Sequence, residues 1–101
     1  MTVVSAKTNN GAIVVALDTE RLDASNAPLV KTKVLSAIQG TTSDRLIIDL
    51  KTVTFMDSTG LGALVSVRKN IPEHFGMELI NTSDFVAKIL KLTRMDRVFT
   101  F

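Results

Sequence analysis

The apolar positions of this 101-residue chain fall into short runs divided by polar punctuation, and their spacing alternates between strand-like and helical. Segments 3–8 (VVSAKT) and 12–17 (AIVVAL) read as two strands. Between them stands NNG at 9–11, and Asn-Gly is a strong hairpin signal because both residues tolerate positive φ. LDASNAP at 22–28 then opens a helix, with Ser25 or Asn26 as cap and Pro28 in the first turn, where a missing N–H costs nothing. Val30, Val34 and Ile38 recur every four residues, Leu35 and Ala37 widen the stripe, and Gly40 can end the helix in a left-handed conformation.

Segment 45–50 (RLIIDL) alternates again: Leu46, Ile48 and Leu50 make the core face, opposite Arg45, Ile47 and Asp49. A second helix is predicted from about Ser58 to Asn70, burying Leu61, Leu64 and Val65 and stopped by Pro72. Residues 77–80 (MELI) form a fourth strand, and NTSD at 81–84 caps a third amphipathic helix carrying Phe85, Val86, Ile89 and Leu90. A short strand from Val98 to Phe101 is expected to finish the chain. The order ββαβαβαβ predicts a single α/β domain over 1–101: an antiparallel hairpin, then parallel strands joined by right-handed crossovers. Only one face of strand 45–50 is fully apolar, so the helices should lie mainly on one side of this mixed sheet.

Composition narrows the classes without choosing among them. Hydrophobic residues make up 46% and charged residues 22%, ordinary for a folded globular protein. No apolar run approaches the roughly 18 residues a membrane span needs. MTVVSAKTNNG does not read as a signal peptide, so a soluble, cytoplasmic protein is expected. Cysteine is absent, which excludes disulfides and thiolate zinc sites. The net charge of +2 comes from scattered Lys and Arg, and without Tyr, Trp or a dense basic run, nucleic-acid binding is not expected.

Familiar catalytic patterns fail in turn. His74 is the single histidine and reads as a surface or loop residue. Gly60 and Gly62 precede ALVSVRK in the wrong register for a phosphate loop. Residues 56–60, MDSTG, approach the nucleophile elbow G-x-S-x-G, but the first glycine is missing and such hydrolases need a longer chain. Asp18, Glu20 and Asp23 gather after the second strand and Asp57 opens the second helix. Both groups should lie near one edge, yet no third metal ligand or cleft is legible.

What remains is the turn FMDSTGLGALV at 55–65. Asp57 or Ser58 can cap the helix, worth about 1 kcal/mol. Gly60 and Gly62 in the first turns each cost about 1 kcal/mol relative to alanine. They make sense if the helix start packs tightly on the sheet or if a ligand must come close, and the residues alone leave both open.

FMDSTGLGALV resembles the signature of bacterial anti-sigma factor antagonists, small proteins of the STAS domain family. The likeness spans nearly the whole chain: RLD at 21–23 follows strand two, LIIDLKTVTFMDSTGLG covers the third strand and its loop, and SDFVAKILKLTRMDRVF covers the third helix and chain end. The resemblance implies a regulator rather than an enzyme, with no cofactor or metal. It implies that a serine kinase, itself the anti-sigma factor, phosphorylates Ser58, with Thr59 as the alternative hydroxyl. Asp23, Asp57, Thr59, Gly60, Leu61 and Gly62 would then neighbour the phosphate and the partner. The unphosphorylated form would bind the anti-sigma factor and free a sigma factor, and a phosphatase would reset the switch. Other STAS domains imply alternatives: a nucleotide-binding module, or a subunit of a stress-signalling or lipid-transport assembly. Two departures stand out: Glu20 where the family commonly has glycine, and an end at Phe101 where most members continue into a helix. Apolar surface left uncovered there would suit a second copy, so both a monomer and a homodimer are open. The resemblance also gives the glycines a second role. If a kinase must approach closely, Gly60→Val should impair phosphorylation more than folding; under tight packing it should mainly lower stability.

Overall fold

The computed structural model describes residues 3–101, so the expected start of the domain at Met1 and Thr2 lies outside the described residues. The elements run β1 (Val4–Asn9), β2 (Ala12–Leu17), β3 (Arg21–Leu22), α1 (Ala27–Ile38), β4 (Arg45–Asp49), β5 (Phe55–Met56), α2 (Ser58–Lys69), β6 (Gly76–Ile80) and α3 (Asp84–Leu92). A single 3-10 turn, Met95–Arg97, follows α3.

The hairpin forms where Asn-Gly predicts it. Asn10 and Gly11 both have positive φ, 49° and 78°, and β1 pairs antiparallel with β2 from Val4↔Leu17 to Asn9↔Ala12. β4 lies parallel to β2, and β6 lies parallel to β4, giving the order β1-β2-β4-β6. The register stacks Ile13 beside Leu46 beside Met77, and Val15 beside Ile48 beside Leu79, all buried. Each such side chain removed from water contributes about 1.5–3 kcal/mol. Val30 and Val34 of α1, Leu64 and Val67 of α2, and Val86 and Leu90 of α3 complete this core. Val14, Ala16, Ile47 and Ile80, on the other face, are half-buried. No helix among the described residues is long and apolar enough to cross a membrane.

Five local expectations change. First, two short strands interrupt the predicted order: β3 and β5 pair parallel as a separate two-stranded sheet. Second, α2 buries Gly60, Ala63, Leu64 and Val67, while Leu61 and Val65 are only half-buried. Gly60 faces inward because the helix start sits hard against Leu22 of β3. Third, Phe85 is 46% exposed instead of facing the core with Val86 and Leu90. Fourth, the terminal strand is reduced to one parallel bridge, Glu78↔Thr100, because the chain turns through Met95–Arg97 after Arg94 adopts φ 59°. Fifth, Asn26 occupies the cap position of α1 but makes no capping bond, its side chain being engaged elsewhere.

Candidate functional site

The short sheet brings together two loops that are distant in sequence. The Thr54 and Phe55 amides donate to the Glu20 carbonyl at 2.8 and 3.1 Å, and Leu22 lies beside Met56 with both side chains buried. The Asp57 amide then donates to the Leu22 carbonyl at 3.4 Å. One residue beyond the paired positions, Asp23 and Asp57 therefore emerge at the same edge, as expected of the two carboxylate groups. Glu20 serves here through its carbonyl and is not among the residues with positive φ, so a side chain in place of glycine causes no strain.

Asp57 is extended (φ −107°, ψ −173°) and caps α2: its Oδ1 accepts from the Gly60 amide at 2.9 Å, and its carbonyl accepts from the Leu61 amide at 2.9 Å. Ser58 and Thr59 are the first two residues of the helix, and both are exposed. Helix geometry gives their amides no partner within the helix, and the aligned peptide dipoles add partial positive charge at this end. A hydroxyl thus stands in solvent at a point that favours an anion.

The two glycines separate cleanly. A Cβ on Gly60 would fall on the Leu22 carbonyl oxygen, 2.8 Å from its carbon and 3.0 Å from Leu22 Cγ, so this glycine is demanded by packing. A Cβ on Gly62 would meet nothing within 4 Å, and the residue is exposed. Tight approach of another molecule remains a reason for glycine only at position 62.

Asp23 is held in a local web. Its Oδ1 accepts from the Ser25 hydroxyl at 2.6 Å and the Ser25 amide at 3.0 Å, and its Oδ2 accepts from Arg21 Nε at 3.2 Å. The Ser25 bonds, with Arg21 after them, hold the Asp23 carboxyl below its usual range. Asn26 fixes the loop by accepting from the Asp23 amide at 3.1 Å and donating to the Arg21 carbonyl at 2.8 Å. The sequence reading places Asp23 and Asp57 near one edge and gives Arg21 no part there. The Arg21 guanidinium covers the Phe55 ring at 4.1 Å, and Phe55 stacks on Phe85 at 5.6 Å. No sequence signal marks this contact, because Arg21 and Phe55 meet only through the pairing of β3 with β5.

The remaining chemistry is sparse. His74 is exposed in the loop after α2, beside a cavity of about 710 Å³ that also touches Ser36, Ser43 and Asn70, at the far end of α2 from Ser58. No cluster of three or more His, Asp or Glu side chains among the described residues is placed to hold a metal ion.

The profile of the STAS domain matches residues 3–101. A candidate anti-sigma factor antagonist of Thermotoga maritima is 28% identical over 87 residues, covering 85% of this chain and 77% of that protein. Among solved structures, an anti-sigma-factor antagonist (STAS) domain protein of Planctomyces limnophilus superposes with a TM-score of 0.86. Its identity is 24%, over 99% of this chain and 88% of that one. The Bacillus cell fate determinant SpoIIAA in its phosphorylated form superposes with a TM-score of 0.67 at 19% identity, over 96% of this chain and 88% of that one.

Proposed function

Since this chain belongs to the STAS domain family, we propose that it acts as an anti-sigma factor antagonist, switched by phosphorylation of Ser58. It works by binding, in the cytoplasm, and its partner is an anti-sigma factor that is also a serine kinase. The observation that carries this reading is the exposed Ser58 hydroxyl at the start of α2, ahead of an end that tolerates an anion. The unphosphorylated surface engages the kinase and displaces a sigma factor; a phosphatase restores it.

Phosphorylation adds about −1.5 to −2 charges and three acceptor oxygens at one point. The helix start accommodates that charge, so the fold persists while the surface changes. A partner shaped around a neutral hydroxyl then faces a bulky anion beside Asp57, with Asp23 nearby already paired to Arg21. A thousandfold loss of affinity needs about 4 kcal/mol, which one mismatched buried charge supplies. The test is a titration of the unmodified protein and Ser58→Asp against the serine-kinase anti-sigma factors of the same host. Tight binding of the first and a large loss in the second are expected; equal affinity of both for every such kinase would refute the switch.

A further inference from the structure

We propose that the cleft between the C-terminal ends of α1 and α2 is a binding site for a small organic cation, an amine carried on an apolar body. The cleft holds about 710 Å³, within the range of about 300–1,000 Å³ that small-molecule sites occupy. It opens at the end of α2 opposite Ser58, so the site is independent of the phosphorylation reading.

The walls are fixed before anything binds. Arg68, in the last turn of α2, donates to the Phe75 carbonyl at 2.7 Å and to the Pro72 carbonyl at 2.8 Å, which clamps the following loop against the helix. The Gly76 amide donates to the Asp44 carbonyl at 2.9 Å and ties that loop to the segment entering β4. Leu35 and Ile38 from α1, with Ile71 and Phe75 from the loop, give the cleft its apolar lining.

One side chain in the cleft asks for a polar partner. Ser43 is only 9% exposed, the one polar residue so deeply buried among the described residues. Its amide donates to the Thr41 hydroxyl at 3.1 Å, whereas its own hydroxyl bonds no protein group there. No fully enclosed side-chain polar atom among the described residues lacks a partner, so this hydroxyl keeps an opening, and the cleft it lines supplies it. A ligand that fills the cleft must bond this hydroxyl, because a buried polar group left unpaired costs about 1–3 kcal/mol.

Charge sets the class of ligand. Ile38 and Gln39 close α1, Asn70 closes α2, and all three line the cleft. The last carbonyls of a helix lack partners within it and carry partial negative charge. No basic residue stands in the last turn of α1, and Arg68 of α2 is spent on two loop carbonyls, which leaves Lys69 as the free cation of that turn. Asp44, next to Ser43, and Glu73, in the loop after α2, are exposed and form no salt bridge among the described residues. Carbonyl ends and carboxylates attract a positive donor, while the apolar lining takes a hydrocarbon body. An ammonium group donates to the Ser43 hydroxyl and meets the field of both helices; a carboxylate or phosphate is repelled by it.

The test is an amide NMR titration of the whole chain at neutral pH with phenethylamine, against hydrocinnamate, which has a similar body and the opposite charge. Phenethylamine is expected to shift the amides of Ser43, Ile71 and Phe75 along one saturating curve and to leave Ser58 through Gly62 in place; hydrocinnamate should shift none of them. Ser43→Ala should weaken the amine about tenfold, the worth of one hydrogen bond to a charged group. Asp44→Asn combined with Glu73→Gln, both at exposed positions, should weaken it severalfold, and unfolding midpoints near wild type confirm intact folds. Equal affinity for hydrocinnamate, or no saturation by the amine up to its solubility, overturns the site. Full affinity in a folded Ser43→Ala protein, or in the Asp44 and Glu73 double variant, overturns it as well.

Discussion

Substituting Gly60 by alanine should destabilise the protein even though it replaces a poor helix former with the best one. In an open helix the change gains about 1 kcal/mol. Here the new methyl lands on the Leu22 carbonyl oxygen, 2.8 Å from the carbonyl carbon, and backbone is a neighbour that cannot swing aside. Relief requires α2 to lift from β3, and overpacking of this kind costs about 1–3 kcal/mol, sometimes more. The same movement stretches the Asp57 amide bond to the Leu22 carbonyl, already 3.4 Å long and worth about 1 kcal/mol. The balance is a net loss of about 1–3 kcal/mol. At about 4–8 °C per kcal/mol for a domain of this size, the midpoint should fall by about 5–20 °C. Gly62→Ala provides the opposite sign: with nothing within 4 Å of its Cβ, it should gain up to about 1 kcal/mol and raise the midpoint. Thermal and urea unfolding of the two variants against wild type decides the matter. A Gly60→Ala protein as stable as wild type, or a Gly62→Ala protein that loses as much, would refute the packing account of the loop.

Three further outcomes are expected. Asp57→Ala removes the cap on α2 and should cost about 1 kcal/mol in urea unfolding, with Asp57→Asn recovering most of it. Leu90→Ala, at a fully buried position of α3, should cost about 2–5 kcal/mol, against little for Phe85→Ala on its exposed face; equal losses would contradict the assigned faces of the helix. The Asp23 carboxyl titrates below its unfolded value, so its stabilising contribution is full above the unfolded pKa and fades as pH falls through the lowered folded one. The stability gap between wild type and Asp23→Asn should therefore narrow in acid; a gap that widens there would contradict the Ser25 and Arg21 contacts.

Much of this architecture was legible because local chemistry and global fold agree. Asn10-Gly11 could hardly do anything but turn, the alternation of Leu46, Ile48 and Leu50 points one way only, and Ser83 caps α3 by accepting from the Val86 amide at 3.2 Å. Gly40, with φ 77°, closes α1 as expected. What escaped has physical causes. Strands of two residues, β3 and β5, are too short to show a period, and their pairing is a tertiary event. Ranking side chains by hydrophobicity favoured Leu61 and Val65 over Gly60 and Ala63, whereas close approach to Leu22 rewards the smallest groups. Phe85 reads as core by the same ranking, yet it stacks outside on Phe55. At the site, a polar cap at Asp57 or Ser58 was readable from the turn, but the contact of Arg21 with the Phe55 ring was not. That contact depends on β3 and β5 meeting across more than thirty residues of chain.

The central claim is that the hydroxyl at position 58 carries a removable phosphate. Incubation of the protein with a serine-kinase anti-sigma factor of its host and Mg-ATP, followed by intact mass and fragment mapping, tests it most directly. The account predicts one phosphate, located on Ser58 and lost in Ser58→Ala while Thr59→Ala retains it. Phosphate on Thr59, phosphate that survives Ser58→Ala, or no transfer from any such kinase would contradict it.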